Sequence, residues 1–326
     1  MKNRRNRILL FCAILILVLV MIISGLQILR SAGFLHNPGG EYAQQSKTIE
    51  KDGKLYYPRQ DMTVVMVLGI DQEGPVQASN SYINPGAADM VMLLVFDETN
   101  KTCNVLYLNR DTMLDVSLLG VKGDYAGTRR EQLALAHTYG SGLEDSCENV
   151  RATLENFLQG VTIDHYVSMN MDAIPLLNDA VGGVLVNVTD DFSEVDPSIT
   201  MGKTVLRGRQ VLSYVQTRKD VGDQKNVSRM ERQKEYVTSF MTQYQNMDNH
   251  SLEFLLAEYE KISPYIVTDC SVNALTGMLS RYKDYTLNEI VTVDGENVVG
   301  EEYYEFYADE EDLLRVVLEL FYAEKK

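Results

Sequence analysis

Cysteine is scarce in this 326-residue chain, with four in all. Cys12 lies inside an apolar run, and Cys103, Cys147 and Cys270 form an odd, widely spaced set. That spacing excludes a disulfide framework and a zinc centre and leaves the three thiols as small core residues. Positive charge is the second shortage: Lys and Arg number 30 against 46 Asp and Glu, a formal charge of -16 at pH 7. Four of those cations, Lys2, Arg4, Arg5 and Arg7, stand in the first seven residues. The rest of the chain is therefore more acidic than the total, which excludes nucleic acid as a partner. Internal repeats and low-complexity tracts are also missing.

One long apolar stretch is present. Ile8 to Ile23 are sixteen consecutive apolar residues, and only Ser24, Gly25 and Gln27 interrupt the continuation to Leu29. Twenty-two helical residues span roughly 33 Å at about 1.5 Å each, enough for a hydrocarbon layer of about 30 Å. The basic residues before it stay on the cytoplasmic side, so residues 1–7 are a cytoplasmic tail and the span 8–29 is a single-pass type II anchor in the cell membrane. The body of the chain is then extracytoplasmic. The small residues Ser31, Ala32 and Gly33 also permit a cleaved signal peptide, but this apolar core is longer than the usual signal length of about 7 to 15 residues.

Residues 30–60 are polar, contain Pro38, Gly39 and Gly40, and read as a linker. Residues 61–326 follow as one domain. It opens on Thr63-Val64-Val65-Met66-Val67-Leu68-Gly69-Ile70, a buried strand ending at Asp71. A Gly/Pro/Asn/Ser-rich loop over 72–88 leads to strands at Met90 to Phe96 and Cys103 to Leu108. Helical spacing marks Arg129 to Tyr139, Glu144 to Leu158, Asp172 to Val181 and Ser228 to Met247, and strand patterns mark His165 to Met171 and Val184 to Val188. Alternation of this kind predicts an α/β fold, a central sheet flanked by helices.

Three groups of residues carry candidate chemistry. Asp71 and Asp89 stand at the ends of two strands, and adjacent strands would bring them together; paired carboxylates are a usual protein contribution to a Mg²⁺ site, although both also suit solvated turn positions. Asn109-Arg110-Asp111-Thr112 follows a strand directly, where an arginine can offer two donors to a phosphate and Asp111 can orient it or cap the next turn. Arg207, Arg209, Arg218, Lys219, Lys225, Arg229, Arg232 and Lys234 place eight cations in twenty-eight residues of an acidic protein. Arg229 and Arg232, three apart near a helix start, share a face where the helix dipole also favours an anion. A solvated helix face is the alternative.

The order of Val-Leu-Gly-Ile-Asp71, Ala-Asp89-Met90, Leu-Asn-Arg110-Asp111-Thr112, Ala-His137-Thr-Tyr-Gly140, Ile-Asp164-His165-Tyr166-Val, Gly182-Gly183, Gly208-Arg-Gln210 through Tyr214 to Arg218, and Arg229-Met-Glu-Arg232-Gln233 resembles the LytR-CpsA-Psr family over about residues 63–240. That resemblance implies a transferase that moves a glycopolymer, such as wall teichoic acid or capsular polysaccharide, from a polyprenyl-pyrophosphate lipid to peptidoglycan. It implies that Asp71 and Asp89 hold Mg²⁺ and that Arg110, Arg218, Arg229, Arg232 and Gln233 bind the pyrophosphate. Asp89 or Asp111 would serve as general base, and an apolar groove would take the lipid tail. Ala87 and Gln216 replace expected arginines and Asn226 replaces an expected aspartate, and the 72–88 loop carries an insertion. These departures leave two other readings open: a regulatory protein that binds polyprenyl phosphate with weakened catalysis, and a lipid pyrophosphatase.

Overall fold

A computed structural model describes residues 48–119, 125–217, 221–222, 226–245, 247–249, 251–270, 282, 285–300 and 303–324. The apolar run at 8–29 lies outside the described residues, among which no helix is long and apolar enough to cross a membrane. In chain order the first strands are β1 (Ile49–Lys51), β2 (Lys54–Pro58), β3 (Met62–Ile70), β4 (Ala88–Asp97), β5 (Thr102–Leu108), β6 (Met113–Leu119) and β7 (Tyr125–Gln132). A 3₁₀ turn at Leu133–Thr138 leads into α1 (Glu144–Phe157), followed by β8 (His165–Asn170), α2 (Ala173–Ala180), β9 (Val184–Val188), β10 (Gly202–Leu206), α3 (Gln210–Gln216), α4 (Asn226–Gln245) and α5 (Leu252–Ile262). The C-terminal part holds β11 (Ile266–Thr268), β12 (Thr286–Val291), β13 (Gly295–Val299), β14 (Tyr304–Ala308), α6 (Glu310–Phe321) and β15 (Tyr322–Glu324).

The core is a mixed six-stranded sheet in the order β11-β8-β3-β4-β5-β12. Its central strands are apolar on both sides because both sides are covered. Val65, Met92, Leu94 and Val105 face one core with residues of α2 to α5, including Leu177, Tyr214, Tyr236 and Phe240. Val64, Met66, Leu68, Val91 and Leu93 face the other, with Val150 and Leu154 of α1 and Val316 and Val317 of α6. The period-2 alternation of side chains along β3 and β4 distributes one continuous apolar run between two cores. Cys103, Cys147 and Cys270 are buried in the core, as their spacing implied.

The structure changes two expectations. Residues 49–58 of the expected linker form a hairpin closed by Asp52 and Gly53, both at positive φ (53° and 74°), and β2 pairs with β15. Asp-Gly is a favoured two-residue hairpin turn, so the folded body starts at least as early as Ile49. The segment expected to be helical over Arg129 to Tyr139 is strand up to Gln132, because β7 pairs antiparallel with β6, and then a short 3₁₀ turn. Val184 to Val188 is a strand, as expected, and pairs with β10 in a ribbon separate from the main sheet.

Candidate functional site

The site begins with an irregularity in β4. Gly69 pairs with Met90 while Ile70 pairs with Ala88, so Asp89 is the extra residue of a bulge. A bulge re-aims the side chains that precede it. Ala88 packs in the core shared with α1, Met90 and Met92 face the opposite core, and Asp89 is turned to the Met90 side, where it lines a cavity. That cavity, about 160 Å³, lies between the sheet and α4; its walls are apolar, with Met92, Met169, Tyr236 and Phe240 among them, and Asp89, Gln216 and Gln233 are its polar members.

Two arginines distant in sequence converge on Asp89. Arg229 Nη1 donates to Asp89 Oδ2 at 2.9 Å, from a side chain that is 2 % exposed. Arg110 Nη1 pairs with Asp89 Oδ1, and Arg110 Nε donates to Asp111 Oδ1 at 3.1 Å. The end of β5 fixes Arg110 from behind. Asp111 N donates to Asn109 Oδ1, the Thr112 hydroxyl donates to the Asn109 carbonyl, and Ala134 N of the 3₁₀ turn donates to the Arg110 carbonyl. Gln132 Nε2 donates to Asp111 Oδ1 at 3.2 Å and to the Tyr304 carbonyl at 2.6 Å. Asp111 is 1 % exposed, and its Oδ2 has no hydrogen-bond partner among the described residues.

The other expected site residues divide. Asp71 is exposed at the end of β3; its N–H donates to the Ala87 carbonyl at 2.9 Å, which sets it across the sheet from the segment leading to Asp89. Gln233 lines the cavity, its Nε2 donating to the Val215 carbonyl and its Oε1 accepting from the Tyr107 hydroxyl. Burial pushes the Tyr107 hydroxyl well up, so it stays a donor. Arg232 goes elsewhere. Its Nε donates to the Tyr214 carbonyl at 2.9 Å, Nη1 to Asp190 at 2.7 Å and Nη2 to the Thr217 carbonyl, with the guanidinium 5.6 Å from the Phe192 ring centre. Those bonds tie α4 to the end of α3. Arg207 and Arg209 also point away, to the Gly182 carbonyl and to Asp172 with Glu73. Arg218, Lys219 and Lys225 lie outside the described residues.

A buried polar network holds the approach to Asp89, and sequence reasoning missed the parts its members play. Asn84 Nδ2 donates to the His137 carbonyl at 2.8 Å and to Ser146 Oγ at 3.1 Å, and Gly86 N donates to Asn84 Oδ1. The His137 ring, 1 % exposed, bonds the Gly86 carbonyl through Nδ1 at 2.7 Å. A Cβ at Gly86 would stand 2.7 Å from Ile70 Cγ2, so no other residue fits without a shift. The motif around His137 and Gly140 was visible, but nothing in it pointed to Gly86. Asn84 carries no local signal in a loop rich in Asn and Ser.

The LytR_cpsA_psr family model matches residues 34–320. The polyisoprenyl-teichoic acid–peptidoglycan teichoic acid transferase TagU of Halalkalibacterium halodurans is 25% identical over 292 residues, 89% of this chain and 87% of that protein. Among solved structures, TagT bound to LIIa-WTA superposes with a TM-score of 0.60 at 21% identity, over 80% of this chain and 90% of that one. The Streptococcus agalactiae protein gbs0355 gives 0.65 at 20% identity, over 80% and 86%. These superpositions establish a shared fold.

Proposed function

Because the chain belongs to the LytR_cpsA_psr family, we propose that it transfers an anionic glycopolymer from a polyprenyl-pyrophosphate carrier to peptidoglycan, from a membrane anchor at residues 8–29. The observation that carries this reading is the meeting of Arg110 and Arg229 at Asp89 on the wall of an apolar cavity. An apolar cavity with charged groups at one place suits a ligand with a hydrocarbon tail and a diphosphate head. Without donor the guanidinium groups are occupied by Asp89; with donor they would turn to the phosphate oxygens, to which each bond contributes about 1.5–3 kcal/mol. Arg232, held by protein acceptors, is assigned to holding α4 in place.

The acceptor hydroxyl oxygen bonds to the phosphorus next to the sugar. The bridging P–O bond breaks, its electron pair leaves with polyprenyl phosphate, and the hydroxyl proton passes to a carboxylate. Asp89 lines the cavity and can meet a reacting group, so it is the base in this reading; Asp111, buried against Arg110 and Gln132, is a positioning residue. Arg110 and Arg229 stabilise the charge that develops on the transferring group. The hard oxygen donors of Asp71 and Asp89 suit Mg²⁺, and Asp71 is exposed without an ion pair among the described residues. When bound, the ion would neutralise phosphate charge.

The test uses the full-length chain in detergent with a lipid-linked polymer and peptidoglycan, reading released polyprenyl phosphate. Arg110→Ala is expected to lower release by on the order of 10²–10³-fold. Asp71→Ala is expected to abolish the response to added Mg²⁺. Unchanged release in Arg110→Ala would remove the proposed cradle. Gln216, in the cavity wall where an arginine was expected, favours a second reading as a binding protein with little turnover, for which tight retention of lipid without release is the signature. Release that does not require peptidoglycan identifies the pyrophosphatase.

A further inference from the structure

The β13–β14 hairpin is joined to the Arg110 segment by its backbone. Phe306 N donates to the Asp111 carbonyl at 2.9 Å, Thr112 and Phe306 form a parallel bridge, and Gln132 links the Asp111 carboxylate to the Tyr304 carbonyl. Phe306 points into the body and is 6 % exposed. Alternation therefore sends Glu305 and Tyr307 to the opposite face, beside their cross-strand neighbours Val298 and Glu296, and Tyr303 directly precedes the strand. Tyr303 is 61 % exposed and Tyr307 42 %.

This face is built as well as exposed. The Tyr307 hydroxyl donates to Glu305 Oε2 at 2.6 Å, which fixes the ring. A Cβ at Gly295 would stand 2.3 Å from the Tyr307 carbonyl, so that position excludes a side chain. Tyr307 on the strand and Tyr303 just before it lie four residues apart, at most roughly 14 Å. Linked pyranose rings can cover that span, stacking on the two tyrosines while the carboxylates accept from sugar hydroxyls. Glu296 and Glu305 disfavour a polyanion at the same place.

We infer that this hairpin face is the docking surface for the acceptor, a neutral sugar strand laid beside Arg110. The inference rests on the transferase reading above, but its test does not use transfer. Full-length chain in detergent is titrated with an uncharged N-acetylglucosamine hexamer by calorimetry, in parallel with retention of polyprenyl phosphate. The Tyr303→Ala/Tyr307→Ala double variant is expected to bind the hexamer at least tenfold more weakly, with lipid retention and melting temperature unchanged. Glu305→Gln is expected to weaken binding severalfold, and Tyr57→Ala, an exposed tyrosine on β2, to leave it unchanged. Absence of hexamer binding by the unmodified chain would overturn the inference, as would equal binding by the double variant. So would self-association that the double variant abolishes in the absence of any hexamer binding. Hexamer binding through these tyrosines in a chain that retains no polyprenyl phosphate would instead sink the transferase reading and leave the sugar surface standing.

Discussion

His137 illustrates how far a single buried group reaches towards the site. A carbonyl only accepts, so the Gly86 bond requires the proton on Nδ1 and leaves Nε2 unprotonated; Nε2 has no hydrogen-bond partner among the described residues. Burial lowers the ring from 6.5 to about 4, with the Gly86 bond and Asp145 opposing it. The folded state therefore takes up no second ring proton until the pH falls to about 4, whereas the unfolded chain takes one up from about 6.5. Stability from this residue is complete above that range and is lost as pH falls through it. The loss approaches roughly 3 kcal/mol, at 1.36 kcal/mol per unit. Glu155 and Asp164, raised by burial, contribute in the opposite direction. The comparison is thus between chains: denaturant unfolding at several pH values should give His137→Gln a flatter stability profile than the unmodified chain between pH 6.5 and 4. An identical slope would show that His137 does not titrate as its burial implies.

Connections between elements place the same residues, and one glycine controls the join of the 3₁₀ turn to α1. Gly140 has φ of 138°, and a Cβ there would meet Ser146 Oγ at 2.4 Å and the Ser146 backbone at 3.0 Å. Its carbonyl accepts from Asn84 Nδ2, so a shift at this turn is felt in the segment before Asp89. Gly140→Ala combines a strained backbone with a clash and is expected to destabilise by about 2–4 kcal/mol, read as a lower urea midpoint at unchanged slope. The glycine itself was legible as a stop. Its positive φ and its tie to Asn84 were not, since they depend on a loop fifty residues away. The same division holds for the strands. β3, β4 and β5 were legible because long β-branched apolar runs fit a doubly covered sheet. The bulge at Asp89 was not, because apolar residues on both faces erase the alternation that would reveal a slipped register. Arg129 and Arg130 fell into a helical period by chance of spacing, and pairing with β6 decided otherwise. On α4, Arg229 and Arg232 were correctly seen as neighbours, but three residues also turn a helix enough to send one to Asp89 and the other to Asp190.

At the scale of the whole molecule, the acidic C-terminal segment closes the fold. Its composition showed charge and concealed structure: Asp309 caps α6 by accepting from Asp312 N at 2.8 Å, and the acidic residues fill the first turn, where the helix dipole favours them. The apolar side of α6 carries Leu313, Val316, Val317, Leu320 and Phe321 into the core beneath β3 and β4. β15 then pairs with β2, which brings the two ends of the described body together. Burial of five such side chains contributes on the order of 8–15 kcal/mol, at about 1.5–3 kcal/mol each. That equals the whole net stability of a typical domain, about 5–15 kcal/mol. A chain ending at Asp309 should therefore lose cooperative thermal unfolding, because one face of the sheet would be left open to water. A chain ending at Glu324, which lacks only Lys325 and Lys326, should melt with the full-length protein. Circular dichroism melts of the two truncations in the same detergent check both outcomes, and a cooperative transition in the shorter chain would mean that the sheet stands on a single core.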